Sequence, residues 1–318
     1  MTLDFRPLSI PELLDRSVSL YRRHLFLFVG IMAVPAAISL LFTVPLEVFS
    51  QLLTVPVAGA DEPAEALAAG AVAVAGFGVA VLVYGVAYIL ALGATSYAVS
   101  DLYQGGAPTI GGTYRRVRAH GFDLVMLSLH VGLRLGIAMI ALPLLGTALT
   151  GLLAQMIGAF AVLFMVASFA VGGVLALVLA LRYSLSVPSL VLERLRAGPA
   201  IKRSVALTRG SLVRAFLIFF CATMITYAGL LLFQGPFAFG AMLVGPGHTL
   251  SLVLGLAGVV VGTLGSTLVA PIMIVGLVVL YFDARVRNEA LDVQMMIANV
   301  DRADTIARGG LAPPTPAQ

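Results

Sequence analysis

The chain has 318 residues, of which 60% are hydrophobic and only 11% charged, against about 25% charged in an ordinary soluble domain; that much apolar surface excludes a water-soluble globule. The formal charge of +4 does not point to nucleic acid, because the basic residues sit at the ends of apolar runs and not on one folded basic face with base-reading elements. The single cysteine, Cys221, excludes an intrachain disulfide framework.

In chain order, Ser9 and Glu12 stand at capping-box spacing and open a short helix. Ile10, Leu14, Val18 and Tyr21 form one apolar stripe on it, away from Asp15, Ser19 and Arg22, which predicts an interfacial helix on the inner leaflet. The first long apolar run lies behind Arg16, Arg22 and Arg23 and is too long for a cleaved signal peptide, so it is expected to remain in the mature protein. Each run of roughly 20 or more apolar residues is long enough to cross a bilayer core. Hydropathy places six spans at residues 25 to 49, 67 to 99, 123 to 146, 158 to 187, 212 to 237 and 250 to 282.

Lys and Arg fall almost entirely on one side of these spans. Arg6, Arg16, Arg22 and Arg23 precede the first, and Arg115, Arg116 and Arg118 separate the second and third. Arg182, Arg194, Arg196, Lys202, Arg203, Arg209 and Arg214 border the loop between the fourth and fifth, and Arg285, Arg287, Arg302 and Arg308 follow the sixth. The opposite loops hold no Lys or Arg, and the first of them carries Asp61, Glu62 and Glu65. Short cytoplasmic loops collect basic residues, so a multi-pass protein of the cell membrane with both termini in the cytoplasm is expected. With no Trp in the chain, Tyr21, Tyr97, Tyr103, Tyr114, Tyr183 and Tyr281 are expected to anchor the cytoplasmic interface.

The approaches to the odd-numbered spans resemble one another. Arg16 to Arg22 matches Arg203 to Arg209, and Thr113 to Arg118 joins them when the interfacial basic residues Arg22, Arg118 and Arg209 are superposed. This predicts three repeats of an interfacial amphipathic helix plus a transmembrane hairpin, at about residues 8 to 104, 105 to 197 and 198 to 300, within one polytopic membrane domain of residues 1 to 300. The alternative is that any loop before a span is basic and helical. After the sixth span helix-favouring composition runs to Arg308, Gly309-Gly310 ends it, and residues 301 to 318 are expected to be a disordered cytoplasmic tail.

Few residues suggest chemistry. The histidines His24, His120, His130 and His248 are scattered with no ligand spacing, and no phosphate loop or nucleophile elbow occurs, so neither a metal nor a cofactor is expected. Gly258 and Gly262, with Gly265 nearby, have small-xxx-small spacing that suits packing within the chain or dimerisation. Arg134 is the one basic residue near the middle of a span, and no acidic residue lies deep in any span. His130 precedes it by one turn, and Tyr84, Tyr88, Thr223 and Tyr227 fall at comparable depth. The six form a candidate polar network or a pocket for an anionic head group; either reading satisfies the rule that an intramembrane charge finds partners or snorkels to an edge.

Several segments also resemble a known bacterial family. These are Arg6-Pro7-Leu8-Ser9-Ile10 leading to Leu20-Tyr21-Arg22-Arg23-His24, Val187-Pro188 to Leu190-Val191-Leu192-Glu193, Arg203-Ser204 to Thr208-Arg209-Gly210, and Tyr281-Phe282-Asp283-Ala284-Arg285-Val286-Arg287. They resemble the membrane domain of glycerophosphoryl diester phosphodiesterases. The resemblance implies that hydrolysis, where family members perform it, resides in an attached barrel domain. A barrel needs about 250 residues of alternating strands and helices, whereas every long segment here is committed to the membrane. His120-Gly121 lacks the arginine and the acidic cluster of the phosphodiesterase motif, so no catalytic residue is carried over.

The expected function is a non-catalytic membrane component, a scaffold or accessory subunit in envelope or lipid metabolism, with membrane lipids and other membrane proteins as partners. The alternative is a carrier of lipid or a small anionic solute with its site near Arg134. An intramembrane enzyme would need acid-base partners that the sequence does not offer.

Overall fold

A computed structural model of the protein describes residues 8 to 54, 63 to 245 and 247 to 289. Arg6-Pro7, Asp61, Glu62, the end of the third unit and the tail at 301 to 318 lie outside the described residues. Twelve α-helices carry the fold: α1 (Ile10–Arg23), α2 (Leu25–Thr54), α3 (Pro63–Tyr103), α4 (Ile110–Arg118), α5 (Gly121–Gly136), α6 (Leu142–Ile157), α7 (Val162–Tyr183), α8 (Ser186–Glu193), α9 (Ala197–Thr208), α10 (Leu212–Phe233), α11 (Gly235–Val244) and α12 (Thr249–Glu289). Six stretches are long and apolar enough to cross a membrane: Leu25–Val48, Gly78–Tyr103, Gly121–Ala154, Val162–Glu193, Leu212–Phe233 and Thr249–Glu289. The protein is thus an all-helical membrane protein with six spans. The fifth span ends at Phe233, short of the expected residue 237, because Gly235-Pro236 starts the separate apolar helix α11, which packs along α12.

α1, α4 and α9 are the short helices expected before the odd spans, and the faces they bury lie largely beside the apolar stripe, which the interfacial reading leaves to lipid. α1 turns Leu13, Ser17, Leu20 and Tyr21 toward the protein, while Val18 is exposed and Leu14 half-buried. α4 buries Thr113 and Val117; α9 buries Ala200, Ser204 and Thr208. A small hydroxyl residue, Ser17, Thr113 or Ser204, lies at the same place in all three when Arg22, Arg118 and Arg209 are superposed. Hydropathy alone pairs a short apolar stripe with lipid. Here a flanking row with small residues lets each helix approach a span closely, and the apolar row lies at its edge.

These helices also repair the breaks that proline makes in the spans. Proline removes the hydrogen bond to the carbonyl four residues before it, so Pro35 in α2 releases the carbonyl of Ile31, and the Tyr114 hydroxyl of α4 donates to that oxygen at 2.7 Å. Tyr21 of α1 donates to the Leu268 carbonyl, next to the Thr267 carbonyl that Pro271 frees in α12. Between α7 and α8 the chain breaks ahead of Pro188, which sits in the first turn of α8 where a missing N–H is tolerated. Ser204 of α9 closes that break, donating to the Arg182 carbonyl at 2.6 Å and accepting from the Leu185 N–H at 3.2 Å. Pro143, at the start of α6, acts differently: it follows a π-helical turn at Ile137–Ala141 that joins α5 to α6 and contains Met139, whose carbonyl the proline ring would otherwise meet.

The buried core lies at the end where the basic residues cluster, here termed the basic end. It joins Leu13, Phe28, Val99, Val117, Leu124, Leu185, Leu190, Leu207 and the α12 run Val278 to Tyr281, all at or near zero exposure. Toward the opposite end the helices touch mainly through glycines. Gly172 of α7 faces the Ala138 carbonyl and Pro143, and Gly146 of α6 leaves room for the Ser168 side chain. Gly258, Gly262 and Gly265 face Phe237, Gln234 and Phe233, so this row packs within the chain.

Candidate functional site

Two charged clusters sit on the basic end, and both are assembled from segments far apart in sequence. In the first, Asp283 of α12 is 3% exposed. Its carboxylate accepts from the Leu8 backbone N–H at 2.8 Å, from Arg214 of α10 at 3.0 Å and from Arg287 at 3.0 and 3.2 Å. The Leu8 carbonyl accepts from the same two guanidiniums. The segment entering α1 is thereby clamped between α10 and α12, and a carboxylate that would be costly to bury alone has two cations and an amide around it.

In the second cluster, Glu193 at the end of α8 accepts from the Arg203 Nε of α9 at 2.8 and 3.0 Å and from the Tyr281 hydroxyl at 2.7 Å. Glu289 bridges Arg203 and Arg285. The hydrogen bond to Glu289, followed by that to Glu193, raises the Arg203 pKa above its ordinary value, so this guanidinium stays charged at any physiological pH. Arg116 of α4 forms a two-pronged pair with Asp101 of α3, at 2.6 and 2.9 Å, and lies 4.2 Å from the Tyr97 ring centre.

Beside the second cluster, α3, α4, α8 and α12 enclose a cavity of about 280 Å³. Arg116, Arg194 and Arg285 line it along with Tyr97, Ser100 and Gln104, and Val191, Leu192 and Phe282 supply its apolar wall.

The six residues expected around Arg134 are not brought together. Arg134 is exposed on α5, lies 5.6 Å from the Tyr183 ring centre and donates a long 3.5 Å hydrogen bond to the Tyr183 hydroxyl at the basic end of α7. His130 bonds the carbonyl of Met126 in its own helix at 2.7 Å. Tyr84 and Tyr88 stack, centroids 5.8 Å apart, and line a cavity of about 40 Å³ between α2, α3 and α12 with Ser39, Thr263, Ser266 and Thr267. That space holds a few waters and not a head group. Thr223 is half-buried on α10, and Tyr227 on the same helix is 59% exposed. Equal depth did not imply a shared face: α5 meets α3 where Leu124 lies against Gly93, while Tyr84 and Tyr88 turn toward α2 and α12. Arg22, Arg118 and Arg209 are all exposed at the basic end.

Of the residues that do converge, Glu193, Arg203, Tyr281, Asp283, Arg285 and Arg287 belong to the segments that carry the resemblance, and Arg214 and Glu289 lie outside them; none was singled out as a site. The usable signal was an acid set directly behind apolar residues, as in Leu190-Val191-Leu192-Glu193 and Tyr281-Phe282-Asp283. Among the described residues no group of three or more His, Cys, Asp or Glu could hold a metal ion. No curated protein and no solved structure matches the chain. The family model described as the membrane domain of glycerophosphoryl diester phosphodiesterase matches residues 159 to 308, the stretch that contributes every one of these converging side chains; of the segments read as resembling that family, those from Val187 onward lie inside the match and Arg6 to His24 lies outside it.

Proposed function

We propose that the protein is a non-catalytic membrane component, a scaffold or accessory subunit in envelope or lipid metabolism, set in the cell membrane with its basic end and both termini in the cytoplasm. One observation carries this reading: the carboxylates of the family segments are each engaged by arginines of other helices, so their charge braces the base of the bundle. On that base stand spans that bury little of themselves. The fourth and fifth bury 11% of their most apolar stretch, against 50% in α12, which leaves long apolar flanks for lipid and for neighbouring membrane proteins. The equivalent buried positions Ser17, Thr113 and Ser204 support reading the chain as three repeats of one unit. The asymmetry of basic residues supports the orientation. The carrier reading set its site near Arg134, and Arg134 reaches Tyr183 and not the cavity beside Tyr84 and Tyr88.

The test compares a deletion strain with its parent by native electrophoresis of membrane complexes and by leaflet-resolved lipid analysis. Loss of a defined membrane complex with unchanged lipid distribution is the expected result. Accumulation of a lipid in one leaflet, with all complexes intact, would overturn the proposal in favour of a carrier.

A further inference from the structure

We propose that the cavity between α3, α4, α8 and α12 is a binding site for a phosphate-bearing anion at the membrane boundary. The proposal goes beyond the scaffold reading and does not depend on it. Three arginines from three separate elements line one space: Arg116 from α4, Arg194 from the end of α8 and Arg285 from α12. The carboxylates nearby are already engaged. Asp101 is held by Arg116, Glu193 by Arg203 and Tyr281, and Glu289 by Arg203 and Arg285. The Arg194 backbone N–H caps α8 on the Leu190 carbonyl, but its side chain makes no hydrogen bond or ion pair among the described residues, so its charge is the one left over at this cavity.

The backbone places that charge. Arg194 is the one described residue other than glycine with positive φ, at φ 53° and ψ 42°. This left-handed conformation is what a glycine would ordinarily supply where a helix ends, and strained positions of this kind gather at ligand sites. The shape then selects the ligand. Several planar forks converging on one point match the many acceptor oxygens of a phosphate group. Ser100 and Gln104 add hydroxyl and amide groups, and Val191, Leu192 and Phe282 accept an apolar portion. A volume of about 280 Å³ falls just below the roughly 300 to 1,000 Å³ of sites that enclose drug-sized molecules, which suits a head group or a small phosphate compound and excludes a whole lipid.

Thermal unfolding of the full chain in a neutral detergent tests the site, with phosphatidylglycerol, phosphatidylcholine or inorganic phosphate added. The variants are Arg194→Gln, Arg194→Lys, Gln104→Glu and Arg22→Gln, the last being an exposed arginine outside the cavity. An anionic phospholipid should stabilise the wild type and Arg22→Gln alike, and its apparent affinity should fall about tenfold or more in Arg194→Gln, the loss of one charge-assisted contact. Arg194→Lys should recover part of it, and Gln104→Glu should weaken binding by repulsion without touching an arginine. Stabilisation by phosphatidylglycerol and not by inorganic phosphate identifies a lipid head group; stabilisation by inorganic phosphate with the same Arg194 dependence identifies a soluble phosphate ligand. If neither stabilises the wild type, or if Arg194→Gln and Arg22→Gln lose binding equally, the cavity is not an anion site.

Discussion

The two ends of this bundle hold together by different means. At the basic end, core side chains near zero exposure surround polar groups that bond across elements: Asp283 with two arginines, Ser204 across a helix break, Tyr114 on a freed carbonyl. At the opposite end, Leu152, Met156, Phe160 and Leu243 are exposed and packing passes through glycines such as Gly146 and Gly172. In lipid an exposed leucine costs nothing, so there is no hydrophobic drive to compact the far end. Polar pairs and close backbone contact must define the structure instead. The comparison teaches that in this chain specificity is concentrated where charge and backbone irregularity meet.

The largest effect is expected from Asp283→Ala, which strands Arg214, Arg287 and the Leu8 amide around an empty position. Removing one partner of a buried ion cluster costs about 3 to 5 kcal/mol, and thermal unfolding in detergent should show it; Leu152→Ala at the far end should stay within about 0.5 kcal/mol. Equal losses at the two positions would dissolve the contrast between the ends. An intermediate effect is expected from Gly172→Ala, whose new Cβ would stand 2.7 Å from the Ala138 carbonyl. Overpacking of that kind costs about 1 to 3 kcal/mol, and the same assay should show the α6–α7 hairpin opening first, read by proteolysis near Gly158.

The smallest effect is expected from Tyr114→Phe, which leaves the Ile31 carbonyl in the Pro35 turn without its donor, at about 1 to 2 kcal/mol. Its pH dependence sharpens the comparison. Burial pushes the Tyr114 hydroxyl up to about 12, so the bond is fully present below the ordinary tyrosine range near 10 and is lost only as pH rises through about 12. The stability difference between wild type and Tyr114→Phe should therefore stay constant through pH 10 and vanish near 12; a difference already gone at pH 10 would mean that the bond does not brace the kink.

What the sequence by itself determined was the membrane-spanning class, the six spans to within a few residues at most ends, and the gathering of basic residues at one end. Those follow from local quantities, because a bilayer core asks for about 20 apolar residues whatever they pack against. The capping box at Ser9 and Glu12 was legible for the same reason and forms as read. What only the tertiary structure decided was direction around each helix axis and the choice of distant partner. Leu13 and Ser17 face the protein while Val18 beside them is exposed; Arg134 meets Tyr183; Glu193, Arg203 and Arg285 meet across 92 residues of chain. Span depth can be counted along a sequence, but the face that a helix turns inward depends on neighbours brought to it by the folding of the whole chain.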